Sequence, residues 1–434
     1  MRDIVASDKD QDSLRVPNNQ RNSNLELLRI LSMLLIIIFH FNIHTTLVNN
    51  NGLDPSTFLM HAFSISWGET AVLVFIIITG YFMIRQSLNK RKILMISLET
   101  VFYSVVITLI GTATGIIDFN GIYAIEMIFP IISTSYWFLT YYVVLLLLSP
   151  YLNKILNAIT KSQYILLMTL LIFLTICLRI IPVTSYIFGS YIISFVLAYL
   201  IGGYFRLYPS KYSTDKKIGI ALLITCTVYT LLFDNYLIET FYHKTVDIEY
   251  GYWPMFVLMI VSATIFLLIL LSKRISNKMK YLVFFSIVIY FFALPVLAYT
   301  KQWSVINEVK RPDCGLCLIF ATSLFMIFSN MKPRYNKVIN WISASTLSVY
   351  IIHESNVLRK YIWDDIVRAN EILSAPLGEY LATMILSALA IFSICVIIDK
   401  VRIYLLFKPL NGWIEKYLSF IERKIDDITD SLDK

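Results

Sequence analysis

The chain has 434 residues, of which 57% are hydrophobic, 15% aromatic and 15% charged, with a mean hydropathy of +0.69. A soluble domain carries roughly 25% charged residues, so this composition excludes the soluble globular class and reads as a polytopic membrane protein. The net charge of +8 requires no nucleic-acid partner, because lysines and arginines gathered in alternate loops account for it.

Residues 1–24 are polar, with Asp8, Asp10, Asn18, Asn19 and Asn22 among scattered basic residues. No small-residue cleavage site follows the first apolar run, so this stretch reads as a cytoplasmic tail and not a signal peptide. From 25 to 407 hydropathy predicts an all-α transmembrane bundle of about 10–12 spans. The spans fall near 25–47, 66–84, 93–116, 136–157, 163–181, 186–206, 217–233, 252–272, 281–299, 314–330, 340–358 and 378–400. Ile122 to Ile132 is too short to cross and reads as re-entrant or interfacial.

The loops set the orientation. Arg85, Lys90, Arg91 and Lys92 follow the second span, and Lys154 and Lys161 the fourth. Basic groups recur after the sixth, eighth, tenth and twelfth spans, the last set being Lys400, Arg402 and Lys408. The loops at 42–65 and 117–135 hold no Lys or Arg at all. This is the positive-inside pattern, with both termini cytoplasmic in a plasma membrane. The loops at 300–313 and 359–377 carry basic residues against the pattern. At the end, 408–434 repeats Ile414, Tyr417, Leu418, Ile421, Ile425 and Ile428 at helical spacing. It predicts an amphipathic helix on the cytoplasmic surface, with a partner-binding or dimerising helix as the alternative.

Candidate chemistry begins in the first span. From Leu25 to His44 the run is apolar at its centre, yet it carries Glu26 and Arg29 at its start and His40 and His44 near its end. Arg29 and His40 are eleven residues apart. That is about three turns, so they share a face to within roughly 20° and stand ~16 Å apart along the axis. An ionisable group inside a membrane is a functional candidate with a partner to be named. The plainer reading is an arginine that snorkels and a histidine that bonds a neighbouring helix. Glu69, Trp137 and His353 share the outer depth with His40, and Arg85, Arg91 and Glu99 the inner depth with Arg29. Such a bundle suits an inner binding site joined to an outer reaction site.

The five cysteines add little, since Cys314 and Cys317 form one isolated C-x-x-C. His40 and His44 lack a third ligand at metal-binding spacing, so no metal is expected.

Four strings carry a resemblance. Arg29 and His40 with ten residues between them, Val74–Arg85 (VFIIITGYFMIR), Tyr136–Asn153 (YWFLTYYVVLLLLSPYLN) and Leu347–Ser355 (LSVYIIHES) resemble, in order, the acyltransferase-3 family of integral membrane O-acyltransferases. Thr79 stands where that family usually has Ser. The resemblance implies transfer of an acyl group, most often acetyl from cytoplasmic acetyl-CoA, to a glycan or lipid-linked saccharide hydroxyl at the outer face. It implies His40 as general base, with Glu69 or His353 orienting it or binding sugar. It further implies Arg29, Arg85 and Arg91 on the CoA phosphates, with Gly80 and Tyr81 beside them. Trp137 is then a sugar platform or an interfacial anchor. The expected partners are the lipid bilayer, acyl-CoA and the glycan, and a homo-oligomer is left open. The competing reading is a polysaccharide exporter of the same family, without CoA chemistry.

Overall fold

The computed structural model describes residues 22–44, 55–172, 191–210, 215–224, 227, 315–372 and 375–432. The expected spans at 252–272 and 281–299, and residues 225–226 and 228–233 of the span expected at 217–233, lie outside these residues. Among the described residues every regular element is helical. Those used below are α1 (Ser23–Ile43), α2 (Pro55–Met83), α3 (Lys90–Ala113), α4 (Gly121–Ile128), α5 (Trp137–Ala158), α6 (Lys161–Ile172), α7 (Tyr191–Leu207), α8 (Gly315–Ser329), α9 (Lys337–Ser343), α10 (Thr346–His353), α11 (Leu377–Val401) and α12 (Asn411–Leu432).

The apolar runs become helices because, in lipid, each backbone N–H and C=O must find its partner within its own segment. Helices α1, α3 and α5, and α11 continued to Phe407, are long and apolar enough to cross a membrane. Their outward faces carry large aliphatic groups such as Leu386, Ile397 and Leu405, at 65%, 61% and 68% exposure. A face of this kind is stable against lipid and not against water.

At the centre stands α2. Ala71, Leu73, Val74, Ile76, Ile77 and Ile78 are each 0% exposed, so this stretch of α2 is covered on all sides. It packs on α1, α7 and α8. The helix begins eleven residues before its expected span, at Pro55, the residue best suited to a first helical position. Its far end is closed by α5. The Asn153 amide donates to Met83 O (2.8 Å) and Gln86 O (3.0 Å), satisfying carbonyls that a helix C-terminus leaves open. Tyr199 of α7 in turn donates to Asn153 Oδ1 (2.7 Å).

Two expectations are corrected. The span expected at 340–358 is broken into α9 and α10, with a turn at Ala344 and Ser345. Serine is the reason: Ser343 donates to Glu26 and Ser345 donates to Asp399 Oδ2 (2.5 Å), so both side chains anchor to other helices. The broken pair runs beside α1, from Glu26 at one end to His40 at the other. Lys400 and Arg402, expected in a loop, are buried at 8% and 6% exposure because the last helix continues past them. The segment expected at 122–132 holds the short α4, which ends at Ile128 and is too short to cross, with Ile122 and Ile125 exposed.

Candidate active site

Helix α1 carries its polar groups at both ends, and α9–α10 supplies partners for each. At the first end, Arg29 Nη1 donates to Glu26 Oε1 (2.8 Å), and Ser343 donates to the other oxygen of Glu26. Asn24 donates to Lys332 O (3.0 Å), and Ser23 N to Arg334 O (2.9 Å). The start of α1 is thereby tied to the loop before α9.

At the other end α10 brings its last residue to the first span. His40 Nδ1 lies 2.8 Å from His353 Nε2, and the two rings are 5.0 Å apart at their centroids. Both are buried, at 3% and 0% exposure. The next residue, Glu354, is 5% exposed. Its Oε2 stands 3.2 Å from His40 Nδ1 and 3.5 Å from His44 Nε2, and makes a hydrogen bond to neither. Its Oε1 accepts from Arg359 Nη1 (3.1 Å).

The partners assign the tautomers. Val349 O lies 2.5 Å from His353 Nδ1, and a carbonyl has no proton to give. His353 therefore carries its proton on Nδ1, and its Nε2 accepts from His40 Nδ1–H. In a neutral imidazole this leaves the lone pair of His40 on Nε2, the nitrogen that can take a proton. Glu354 adds a carboxylate beside the ring, which stabilises the imidazolium that would form. The arrangement is an imidazole base oriented by a second imidazole and backed by a negative charge.

An aromatic series leads away from the pair. Tyr350 lies 6.2 Å from His353, Phe138 lies 5.4 Å from Tyr350, and Trp137 neighbours Phe138 at 6.3 Å. On the other flank, Trp363 is fully buried and stacks on His44 at 6.3 Å.

The remaining sequence candidates are distributed. Glu69 lies in α2, and its side chain is outside the described residues. The backbone approaching Gly80 belongs to α7: a Cβ there would stand 2.1 Å from Tyr199 O, and one at Gly202 2.0 Å from Ile77 O. Gly80 is thus a helix-crossing residue. Tyr81 lies under Arg206 (5.4 Å) and against Phe325 (5.3 Å). Arg85 is exposed, at the rim of a groove of ≈ 610 Å³ shared with Lys90, Arg91, Glu422 and Asp426. Arg91 pairs with Glu415 and with Glu422 (3.5 Å), and Lys90 with Asp426, so α12 lies across the start of α3. Trp137 is half-buried and packs on Tyr191 at 4.8 Å.

Sequence reasoning missed Glu354, although it follows His353 directly, and it gave Arg359 no role. It also missed a second buried charge cluster. Asp399 is 0% exposed and accepts from Tyr103 (2.9 Å), Ser348 (2.6 Å) and Arg402, whose Nε and Nη2 reach it at 2.9 and 2.7 Å. Arg402 also lies 3.4 Å from Glu99, which shares the single Ser348 hydroxyl proton with Asp399. The signal was present: an Asp three residues before an Arg within an apolar run is an i,i+3 pair.

No curated protein and no solved structure matches the chain. The family model described as an acyltransferase domain matches residues 22–310, two-thirds of the chain, and so includes α1 with Arg29 and His40 but stops before α10. The chain belongs to the acyltransferase-3 family and is a membrane acyltransferase of the O-acyl kind.

Proposed function

We propose that the protein moves an acyl group, acetyl as the first candidate, from cytoplasmic acyl-CoA to a hydroxyl of a cell-envelope or exported glycan. The observation that carries this reading is the His40–His353 pair with Glu354 beside it. His40 Nε2 accepts the proton of the acceptor hydroxyl as its oxygen attacks the thioester carbonyl. The carbon–sulfur bond then breaks, and the departing thiolate takes the proton back from the imidazolium. No proton is gained or lost overall, and the Glu354 carboxylate lowers the cost of the charged intermediate state of His40.

For the donor, Arg29 supports the reading by its place at the far end of α1 from His40. Its guanidinium is half-buried and held in one orientation by Glu26. A fork held in this way offers its remaining donors to an anionic oxygen. The ~16 Å along the helix is within the reach of an extended pantetheine arm. Both termini lie on the donor side in this reading, as the loop charges predict.

Titration of the purified protein with CoA tests it. Wild type is expected to bind CoA, and Arg29→Lys to bind it about tenfold or more weakly, having lost the fork but kept the charge. The expected kinetic signature is a raised KM for acyl-CoA with a smaller change in kcat. No binding by wild type at millimolar CoA would overturn the donor assignment and favour export. The acceptor is tested by the acetyl content of the glycan, measured by NMR with and without the protein.

A further inference from the structure

Glu354 Oε2 and His44 Nε2 are both buried and face each other at 3.5 Å, an ion-pair contact at the long limit of a hydrogen bond. Buried polar atoms without a well-formed hydrogen bond are rare and require an explanation. A cation between them would satisfy both. The ligand atoms of His40, His353 and Glu354 all lie within 4.8 Å of one another. Together with His44 they make three imidazole nitrogens and one carboxylate oxygen, a donor set that suits zinc.

We propose that His40, His353 and Glu354, with His44 closing in as the fourth ligand, bind one zinc-like divalent ion, and that its binding turns the general base off. Tetrahedral zinc with bonds of about 2.0–2.2 Å separates its ligands by about 3.3–3.5 Å. Glu354 Oε2 stands at cage distance from His40 Nδ1 (3.2 Å) and from His44 Nε2 (3.5 Å), while His44 lies outside the cluster of His40, His353 and Glu354 and has to move in to complete the cage. The 2.8 Å between His40 and His353 is a hydrogen-bond length and would open by about 0.5 Å. Two outer contacts match what metal ligands need. Val349 O holds the far nitrogen of His353, and Arg359 holds the far oxygen of Glu354, which leaves Nε2 and Oε2 facing the ion. The His44 side chain, 21% exposed, provides the opening.

The switch rests on the reading of His40 Nε2 as the base. A metal on His40 Nδ1 takes that nitrogen's lone pair, so the proton it carried moves to Nε2. The ring stays neutral, and the base loses the lone pair it needs. The earlier expectation of no metal rested on the lack of a third ligand near His40 and His44 in sequence. The fold supplies two, from 313 residues away.

The test uses the full chain in detergent after chelation. Zn²⁺ titration by calorimetry is expected to give one ion per chain, and Co²⁺ in its place the strong visible absorption of a tetrahedral site. Glu354→Gln and His353→Ala are expected to weaken zinc binding by more than a hundredfold, and Arg359→Ala by about tenfold. Should the first two fail to fold, His44→Ala, altered at the partly open edge, carries the measurement. No stoichiometric ion, or affinity unchanged in the variants, overturns the site. Zinc bound at full occupancy with acyl transfer unchanged overturns the switch. A protein that binds zinc as expected but never transfers an acyl group leaves the site standing and removes the reading of His40 as base.

Discussion

Glu354 is the residue whose role is most sharply defined by its surroundings. It is buried beside His40, and Arg359 holds its second oxygen. Replacing it with Gln keeps the shape and removes the charge that steadies the imidazolium. A hydrogen bond or contact to a charged group is worth about 1.5–3 kcal/mol, so Glu354→Gln is expected to lower kcat by about ten- to a hundredfold. KM for the acyl donor should stay within about twofold, because the proposed donor anchor, Arg29, is at the other end of α1. His40→Ala is expected to lose about 10²–10⁴ in rate with the chain still inserted, as measured by acyl transfer and by extraction from membranes. A KM change as large as the kcat change in Glu354→Gln would show that Glu354 binds substrate instead. The sequence made His40 and His353 legible because histidine is rare within apolar runs. Glu354 was passed over because an acid just after a helix end reads as an ordinary flank.

At the scale of elements, close packing and buried charge decide the fold. Helices α2 and α7 cross glycine to glycine, and the backbone of each fills the space a side chain would need. Gly80→Ala is therefore expected to cost about 1–3 kcal/mol through forced separation of the helices, read as a lower melting temperature in detergent. CoA affinity of the surviving protein should not change. Arg402 pairs with Asp399 and lies beside Glu99 where α3, α10 and α11 meet. Arg402→Ala would leave the buried Asp399 carboxylate without its cation, at a cost of about 3–5 kcal/mol. A melting temperature equal to wild type would show that water reaches the cluster. This cluster was illegible for a physical reason. Apolar runs end at the first charge in a hydropathy profile, yet a paired charge does not end a helix. The break between α9 and α10 was hidden likewise, since two serines in an apolar stretch do not announce that both side chains reach outward.

For the whole molecule, the loop charges predict the start of α3 on the cytoplasmic side and Asn120 on the other. In a cysteine-free background, a cysteine at Asn120 should label from outside intact cells, and one at Asn89 only after permeabilisation. The reverse pattern would invert the direction of acyl flow. The C-terminal helix α12 presents Trp413, Tyr417 and Phe420 outward while its acids hold Lys90 and Arg91. The distance along the chain between His40 and His353 bears on how the protein is made. At a synthesis rate of about 5–20 residues per second, 313 residues take roughly 15–60 s. Helix α1 therefore enters the bilayer with its histidines tens of seconds before the segment that satisfies them exists. During that interval the insertion machinery or the neighbouring helices must shelter them. The His40–His353 pair, the proposed reaction centre, is assembled late, and on that reading a ribosome halted before residue 353 leaves an inert bundle in the membrane.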